Sequence, residues 1–250
     1  SLCSLFLYPL LNKISLLLCF FAALFGMTAA LLSGMRGTWI ALFPITILWI
    51  CYAQINAKLK TLMTLGLLLS LFSLYSFNDQ VHQRVNLAVQ ETNIYFEEHR
   101  NNTSVGVRWE LWKGALLIFK DNPLFGIGSG NYRAAMGEKN TQGIVHMPIM
   151  FNHAHNAFLH YLATLGIPGA LAYLLLLLGP SYYFLHNLKT ARPLEQRFLG
   201  VSGLAIILSY MTYDLTGWAF AHQKSLLFFA IMLVTLAGLI QQKTVTKSCS

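Results

Sequence analysis

Charged residues are scarce in this chain of 250 residues, since Asp, Glu, Lys and Arg make up only 10% of it. The mean hydropathy of +0.55 is too high for a typical soluble domain and is typical of a chain surrounded largely by lipid. Six long stretches contain no charged residue: 14–35, 37–57, 61–78, 140–188, 198–213 and 225–242. Because a helix needs about 20 apolar residues to cross a bilayer, we expect about six transmembrane helices.

None of these stretches alternates apolar and polar residues in the way that a membrane barrel strand does. Inside lipid, a segment must satisfy its own peptide hydrogen bonds, so the apolar stretches should be helices. The sequence therefore predicts an all-α polytopic membrane protein. The apolar run at 2–11 is too short to span and no cleavable signal peptide is visible, so we expect the C-terminal part of a longer protein.

Cysteine is also rare, and its positions exclude two classes of site. Four cysteines occur, all in apolar stretches or in the C-terminal tail: Cys3, Cys19, Cys51 and Cys249. This placement argues against a disulfide framework and against a zinc site. The glycines Gly126, Gly128 and Gly130 resemble a nucleotide-binding loop, but no strand precedes them, so we interpret them as a tight bend.

The formal net charge of +8 could suggest a nucleic-acid partner, but the distribution of the charges argues against one. Most basic residues outside the polar insert fall on alternate ends of the apolar stretches: Lys13, Lys58, Lys60, Lys189, Arg192, Arg197, Lys243 and Lys247. Such an excess marks the cytoplasmic ends of membrane helices. Membrane lipids, and no nucleic acid, are therefore expected as partners, and the polar insert, Gly37 and Asp214 should face outward.

The chain divides into three predicted segments: transmembrane helices over 1–78, an outward catalytic insert over 79–156, and transmembrane helices with a cytoplasmic tail over 157–250. Within the insert, the residue pattern predicts amphipathic helices over Asp79–Glu98 and Val105–Phe119 and a loop over Leu124–Phe151. A helix that begins near Asn156 should kink around 166–169. The remaining helices are expected near 14–32, 37–52, 61–77, 198–213 and 225–240.

His155 is the strongest catalytic candidate, because an imidazole can accept a proton from a hydroxyl nucleophile near neutral pH. A capping or packing histidine is the alternative interpretation. His153 lies two residues earlier, and a His-x-His pair can chelate a metal ion. Since no cysteine or acidic residue is close in sequence, we expect no metal and no cofactor.

Arginine supplies the second group of candidates. Arg36 and Arg108 are expected at the outward membrane edge, where a guanidinium can bind phosphate through two hydrogen bonds or extend toward lipid headgroups. Arg84 is a further candidate for the same anion site, with a solvated helix position as the alternative. Asp214 ends a charge-free stretch; we expect it in water at the membrane interface, although it could instead orient His155 or an arginine.

Four ordered motifs resemble the O-antigen ligase and polymerase superfamily. They are Arg36-Gly37-Thr38-Trp39, the segment from Arg108 to Lys113, the loop from Asn122 to Gly128, and His153-Ala154-His155-Asn156 with Gly166 and Gly169. The histidine motif looks most like that of the lipopolysaccharide O-antigen ligases.

The resemblance implies an inverting, metal-independent glycosyltransferase in the bacterial inner membrane with its active site facing the periplasm. It would transfer a glycan from undecaprenyl diphosphate to a sugar of the lipid A core. By the same resemblance, Arg36 and Arg108 would hold the diphosphate and His155 would activate the acceptor hydroxyl, supported by His153 and Asn156. An O-antigen polymerase or a protein O-oligosaccharyltransferase would share the donor. An anion or solute transporter is the alternative from another class.

Overall fold

The structure is a computed structural model that describes residues 21, 25–26, 36–52, 56–77, 79–98, 102–190 and 194–248. Its regular secondary structure in these ranges is helical, without strands, which confirms the predicted helical class. The helices are α1 (Arg36–Tyr52), α2 (Ala57–Phe77), α3 (Asp79–Glu98), α4 (Ser104–Asp121), α5 (Tyr132–Thr141), α6 (Ala157–Thr190), α7 (Leu194–Asp214) and α8 (Gln223–Ser248), with a 3₁₀ turn at Ala219–Ala221. The helix predicted near 14–32 lies outside the described residues, apart from 21 and 25–26.

Local capping explains where two of these helices begin. The Asn56 side chain accepts a hydrogen bond from the Leu59 amide at 2.8 Å, which starts α2 four residues before the predicted start at Thr61. At α4, the Thr103 hydroxyl accepts from the Gly106 amide at 3.0 Å. The predicted amphipathic helices correspond to α3 and α4 within two residues at each end.

The prediction of an unbroken loop over Leu124–Phe151 is wrong, because α5 occupies ten of those residues. Tyr132 and Met136 are fully buried one helical turn apart, and their side chains belong to the same core cluster as Leu111 of α4. Gly114 on α4 allows this packing, since a β-carbon there would collide with the Met136 sulfur. Burial of these two side chains stabilises a helix too short to be stable alone.

The chain forms two compact units. The first contains residues 1–61, 176–213 and 219–250, and the second contains residues 62–175 and 214–218. In the described part of the first unit, Gly203 lies against the Phe184 ring and Trp49 packs on Phe198 at 5.5 Å between ring centroids. The second unit holds the core cluster of α4, α5 and the loop after α5, and every residue of the histidine motif.

Two described helices are long and apolar enough to cross a membrane, over Ala157–Thr190 and Gln223–Gln242. A third apolar helix, Ile40–Tyr52, is shorter. These helices support an association with the membrane. The predicted number of about six spans and the outward orientation of the insert stay predictions.

The 34-residue helix α6 contains the predicted kink, at Gly166, where the backbone has φ 67° and ψ −154°. An uninterrupted helix would satisfy the carbonyl oxygen of Thr164 with the amide of residue 168, but that residue is Pro168, which has no N–H. The kink therefore leaves carbonyl groups of α6 open to hydrogen bonds from another segment.

The loop at residues 122–128, which we call the clasp loop, supplies these hydrogen bonds. Three backbone bonds join it to the kink: Ile127 N–H to Ala163 O at 3.2 Å, Gly128 N–H to Thr164 O at 2.8 Å, and Ile167 N–H to Pro123 O at 3.0 Å. The two backbones approach so closely that a β-carbon on Gly166 would lie 2.5 Å from the Leu124 oxygen. A β-carbon on Gly126, where φ is 64°, would likewise collide with the backbone of Thr164. Two motifs that are distant in sequence thus form one backbone joint.

Candidate active site

His155 lies in the turn immediately before α6, in the left-handed region at φ 51°. It is the one non-glycine residue of the described chain with positive φ, a conformation uncommon for residues with a β-carbon. The next residue, Asn156, fixes this turn, because its Oδ1 accepts from the Leu159 amide at 3.0 Å and caps the helix. Its Nδ2 donates to the Leu215 carbonyl at 3.3 Å. Asn156 therefore fixes the backbone next to His155, and its supporting role in a reaction stays a prediction.

The imidazole of His155 is half-buried among aromatic rings. Its centroid lies 4.2 Å from that of His153 and 5.3 Å from that of Phe151. Burial, the neighbouring His153 and the guanidinium of Arg108 lower the pKa of His155 to about 4. Each factor disfavours the imidazolium form, so His155 is neutral at pH 7 and can accept a proton.

The guanidinium of Arg108 is thus one of the charges that act on His155. That the two side chains share one anion site stays a prediction. Its side chain is half-buried on the first turns of α4, and its Nη1 donates to the Ser104 hydroxyl at 3.3 Å. A guanidinium near the start of a capped helix is suited to bind an anion.

Glu110 positions α4, and the sequence analysis missed this role. Its carboxylate is buried and accepts from the Tyr95 hydroxyl at 2.7 Å and from the His146 amide at 2.8 Å. These bonds connect α3 and the loop after α5 to the turn of α4 that follows Arg108. Burial and the Glu110 carboxylate both raise the pKa of Tyr95, which stays protonated as the donor. The available signal was a carboxylate placed directly between two large apolar side chains, Trp109 and Leu111.

The expectation that Asp214 lies in water is wrong. Its side chain is buried, and its Oδ2 accepts a hydrogen bond from the Tyr173 hydroxyl at 3.0 Å. A carboxylate in such a place needs this kind of partner, since an unpaired buried charge is costly. Tyr173 on α6 therefore supplies a hydrogen bond to the buried Asp214 carboxylate.

Trp218 is the second residue that the sequence analysis did not identify. Its indole N–H donates to the Tyr161 hydroxyl at 3.1 Å, and its ring lies between two histidines, 5.7 Å from His153 and 4.0 Å from His160. Together with the contact of Asn156 to Leu215, these contacts hold residues 214–218 against the histidine motif. Nearly 60 residues separate the two segments, so no local pattern could have shown the contact.

The other predicted site residues have separate outcomes. Gly166 and Gly169 lie at the kink, where a β-carbon on Gly169 would collide with Leu165 of the preceding turn. Arg36 begins α1 in the first unit and Arg84 lies on α3, but the side chains of both are outside the described set. Their role in binding an anion stays a prediction.

The paired rings of His153 and His155 raise the question of a metal ion. Among the described residues, no three His, Cys, Asp or Glu side chains are grouped so that they could hold one. The pair therefore has no third ligand of these types in the described part of the chain. The absence of a metal from the site stays a prediction.

Two described helices of this chain are long and apolar enough to cross a membrane, which indicates a membrane-associated protein. Its half-buried His155, whose pKa Arg108 helps to lower, is a candidate acid–base group, and Arg108 is a candidate anion-binding group. The family profile described as O-antigen ligase matches residues 20–174 of the chain. This range includes all four motifs and both Arg108 and His155. The chain belongs to the O-antigen ligase family.

A relative from Haemophilus influenzae, described as an uncharacterized protein, is 30% identical to the chain over 222 residues. The match covers 86% of this chain and 55% of that protein. The chain thus spans about half the length of this curated relative. Asp214 and Trp218 lie beyond the range that the family profile matches.

Proposed function

We propose that the chain is part of a multi-pass glycosyltransferase that joins O-antigen polysaccharide from undecaprenyl diphosphate to the lipid A core. The reaction takes place on the periplasmic face of the bacterial inner membrane. His155 is the catalytic base, and Arg108, together with Arg36 and Arg84, binds the diphosphate. The observation that carries this proposal is the half-buried position of His155 in the turn that Asn156 fixes at the start of α6, with Arg108 among the groups that lower its pKa.

Donor binding should make His155 a stronger base. In the free chain, the positive charge of Arg108 is one of three factors that lower the pKa of His155. A diphosphate bound to Arg108 would neutralise that charge and add negative charge nearby, which favours the imidazolium. The pKa of His155 should therefore rise when the donor is in place, which strengthens it as a general base.

The atoms and electrons of the proposed transfer balance without a cofactor. The oxygen of the acceptor hydroxyl forms a bond to the anomeric carbon of the donor sugar as the bond from that carbon to the diphosphate breaks. The electron pair leaves with the diphosphate, and the proton of the hydroxyl passes to His155. Attack opposite the leaving group inverts the anomeric centre, and guanidinium groups stabilise the charge that grows on the diphosphate.

The acceptor distinguishes the proposed ligase from its relatives. A polymerase would extend a second lipid-linked glycan, and a protein O-oligosaccharyltransferase would modify a protein hydroxyl, with the same donor and the same base. The lipid A core is proposed because the His-Asn and Gly-x-x-Gly spacing most resembles that of the ligases. A transporter would move its solute without forming a new glycosidic bond.

The test is in vitro transfer by the full-length protein in liposomes that contain the lipid-linked glycan. Lipid A core, a second lipid-linked glycan and a protein compete as acceptors. We expect labelled glycan on the lipid A core, and His155→Asn should slow its formation about 10²- to 10⁴-fold. Asn tolerates the left-handed backbone of this position, so the turn should persist.

Matched controls separate the site from general damage. His186→Asn changes an exposed histidine at the other end of α6, and Lys113→Gln removes an exposed cation from the helix that carries Arg108. Both should transfer at the wild-type rate, whereas Arg108→Gln should be severely impaired. Wild-type transfer by His155→Asn, or product only on the protein, would contradict the proposal.

A further inference from the structure

The clasp loop exposes two large apolar side chains although it belongs to the polar insert. Leu124 is 64% exposed and Phe125 is 78% exposed. On either side of the kink in α6, Leu165 and Ile167 are exposed as well. Exposed aromatic and aliphatic side chains that follow one another in this way are typical of surfaces that meet another apolar phase.

The position of these side chains along α6 is fixed by the backbone joint. The clasp loop is bonded to α6 at Ala163, Thr164 and Ile167, and the Leu124 carbonyl lies against Gly166. Leu124 and Phe125 therefore cannot move along the helix without breaking these bonds. The depth of Gly166 in a membrane sets the depth of the loop.

The length of α6 places Gly166 at a membrane border. From Gly166 to Lys189 an α-helix rises about 35 Å, and the hydrocarbon core of a bilayer is about 30 Å thick. No charged residue occurs between them, and Lys189 is exposed, as expected for a residue at the cytoplasmic surface. The opposite border of the hydrocarbon then falls close to Gly166.

We propose that Leu124 and Phe125 insert into the outer leaflet of the membrane, among the upper acyl chains of phospholipids. The clasp loop is then an interfacial anchor that holds the insert at the lipid surface, just as apolar side chains on interfacial segments do. Continuity with the apolar surface of α6 supports lipid as the partner, since Leu171 and Leu175 on the next turns are also strongly exposed.

This inference rests on one part of the proposed function, the crossing of the membrane by α6, and not on the chemistry at His155. The two can therefore fail separately. A clasp loop in water would leave the transfer reaction untouched, and an inactive His155 would leave the depth of the loop unchanged.

The test measures the depth of single spin labels in the chain reconstituted into vesicles of phosphatidylethanolamine and phosphatidylglycerol. The four native cysteines are replaced by serine, and one cysteine is introduced by Phe125→Cys. Ser129→Cys provides a matched exposed position one residue after the end of the clasp loop at Gly128, and Leu175→Cys provides a position on the candidate span. Collision of each label with oxygen reports lipid, and collision with a water-soluble nickel chelate reports water.

We expect oxygen to dominate at positions 125 and 175 and the nickel chelate to dominate at position 129. Lipid access at 175 with water access at 125 would overturn the inference alone. Water access at both would overturn it together with the crossing of α6. Protection of position 125 from both reagents would mean that another protein segment covers the loop, which also overturns it.

A second variant guards against misfolding of the cysteine-free chain. Phe125→Trp in the native background adds one tryptophan to the five already present. Subtracting the emission of the Phe125→Tyr variant from that of Phe125→Trp gives the emission of the added tryptophan. Lipids brominated near the top of the acyl chain should quench this emission more strongly than lipids brominated near the end. Equal quenching by both, or quenching only by aqueous acrylamide, would contradict insertion of the loop.

Discussion

The two ends of the histidine motif differ in how they use their residues. At the histidine end, residues 153–156, side chains make the contacts: two imidazoles whose centroids lie 4.2 Å apart, and an asparagine that caps α6 and reaches the Leu215 carbonyl. At the glycine end, residues 166–169, the backbone makes them, because Gly166 admits the clasp loop to hydrogen-bonding distance. A single spacing pattern thus combines a chemical site with a structural joint.

The comparison teaches that residues of one motif need not share one role. Substitution at the histidine end should change reactivity with little effect on folding, since His155 is half-buried and lies in a turn. Substitution at the glycine end should change folding first, since the space there is already filled by backbone atoms. Three measurements test this division.

Gly166→Ala should have the largest effect on stability. Alanine would be strained at φ 67° and ψ −154°, and its β-carbon would displace the Leu124 carbonyl and so break the joint. Backbone strain of this kind costs about 1–3 kcal/mol, and the displaced loop adds to it, so we expect a loss of more than about 3 kcal/mol. Thermal unfolding in detergent, followed by circular dichroism, measures it.

Gly179→Ala is the matched control on the same helix, because a β-carbon there meets nothing within 4 Å. An added methyl group in a helix should stabilise the chain slightly, by about 0.5–1 kcal/mol. Equal melting temperatures for the two variants would show that the clasp loop does not depend on Gly166.

Trp218→Phe should have a smaller effect, and it should reach the histidine end. The change removes the hydrogen bond to the Tyr161 hydroxyl but keeps most of the ring surface against His153 and His160. A hydrogen bond of this type contributes about 0.5–1.5 kcal/mol, so we expect a stability loss of about 1 kcal/mol and slower glycan transfer.

A double-mutant cycle with Tyr161→Phe isolates this contact. If the hydrogen bond carries the effect, the double variant should be little worse than either single variant. Strictly additive losses, or unchanged transfer in Trp218→Phe, would show that residues 214–218 do not position the histidine motif.

Most of the helical fold could be predicted from the sequence, because charge-free runs and polar caps act locally. The helices α3 and α4 were predicted nearly to the residue, and the kink of α6 followed from the sequence Gly166-Ile167-Pro168-Gly169. The short helix α5 was missed because its stability depends on the burial of Tyr132 and Met136 against another helix. Tertiary packing of this kind leaves no periodic signal in ten residues.

The candidate site was predictable only in part. Arg108 and His155 could be identified because a guanidinium can bind phosphate and an imidazole can accept a proton. The burial of Asp214 and the contact of Trp218 could not be predicted, because both depend on residues 214–218 returning to α6. The hydrogen bonds between the clasp loop and the kink at Gly166 could not be predicted either, because they join backbone groups, which nearly every residue has.

The most direct test of the central claim is a nuclear magnetic resonance titration of the His155 imidazole, without and with undecaprenyl diphosphate. We expect a pKa near 4 in the free chain, a higher pKa in Arg108→Gln because one positive charge is gone, and a clear rise in the wild type when the diphosphate binds. A pKa that neither Arg108→Gln nor the diphosphate changes would contradict the claim that Arg108 and His155 act on the same bound donor.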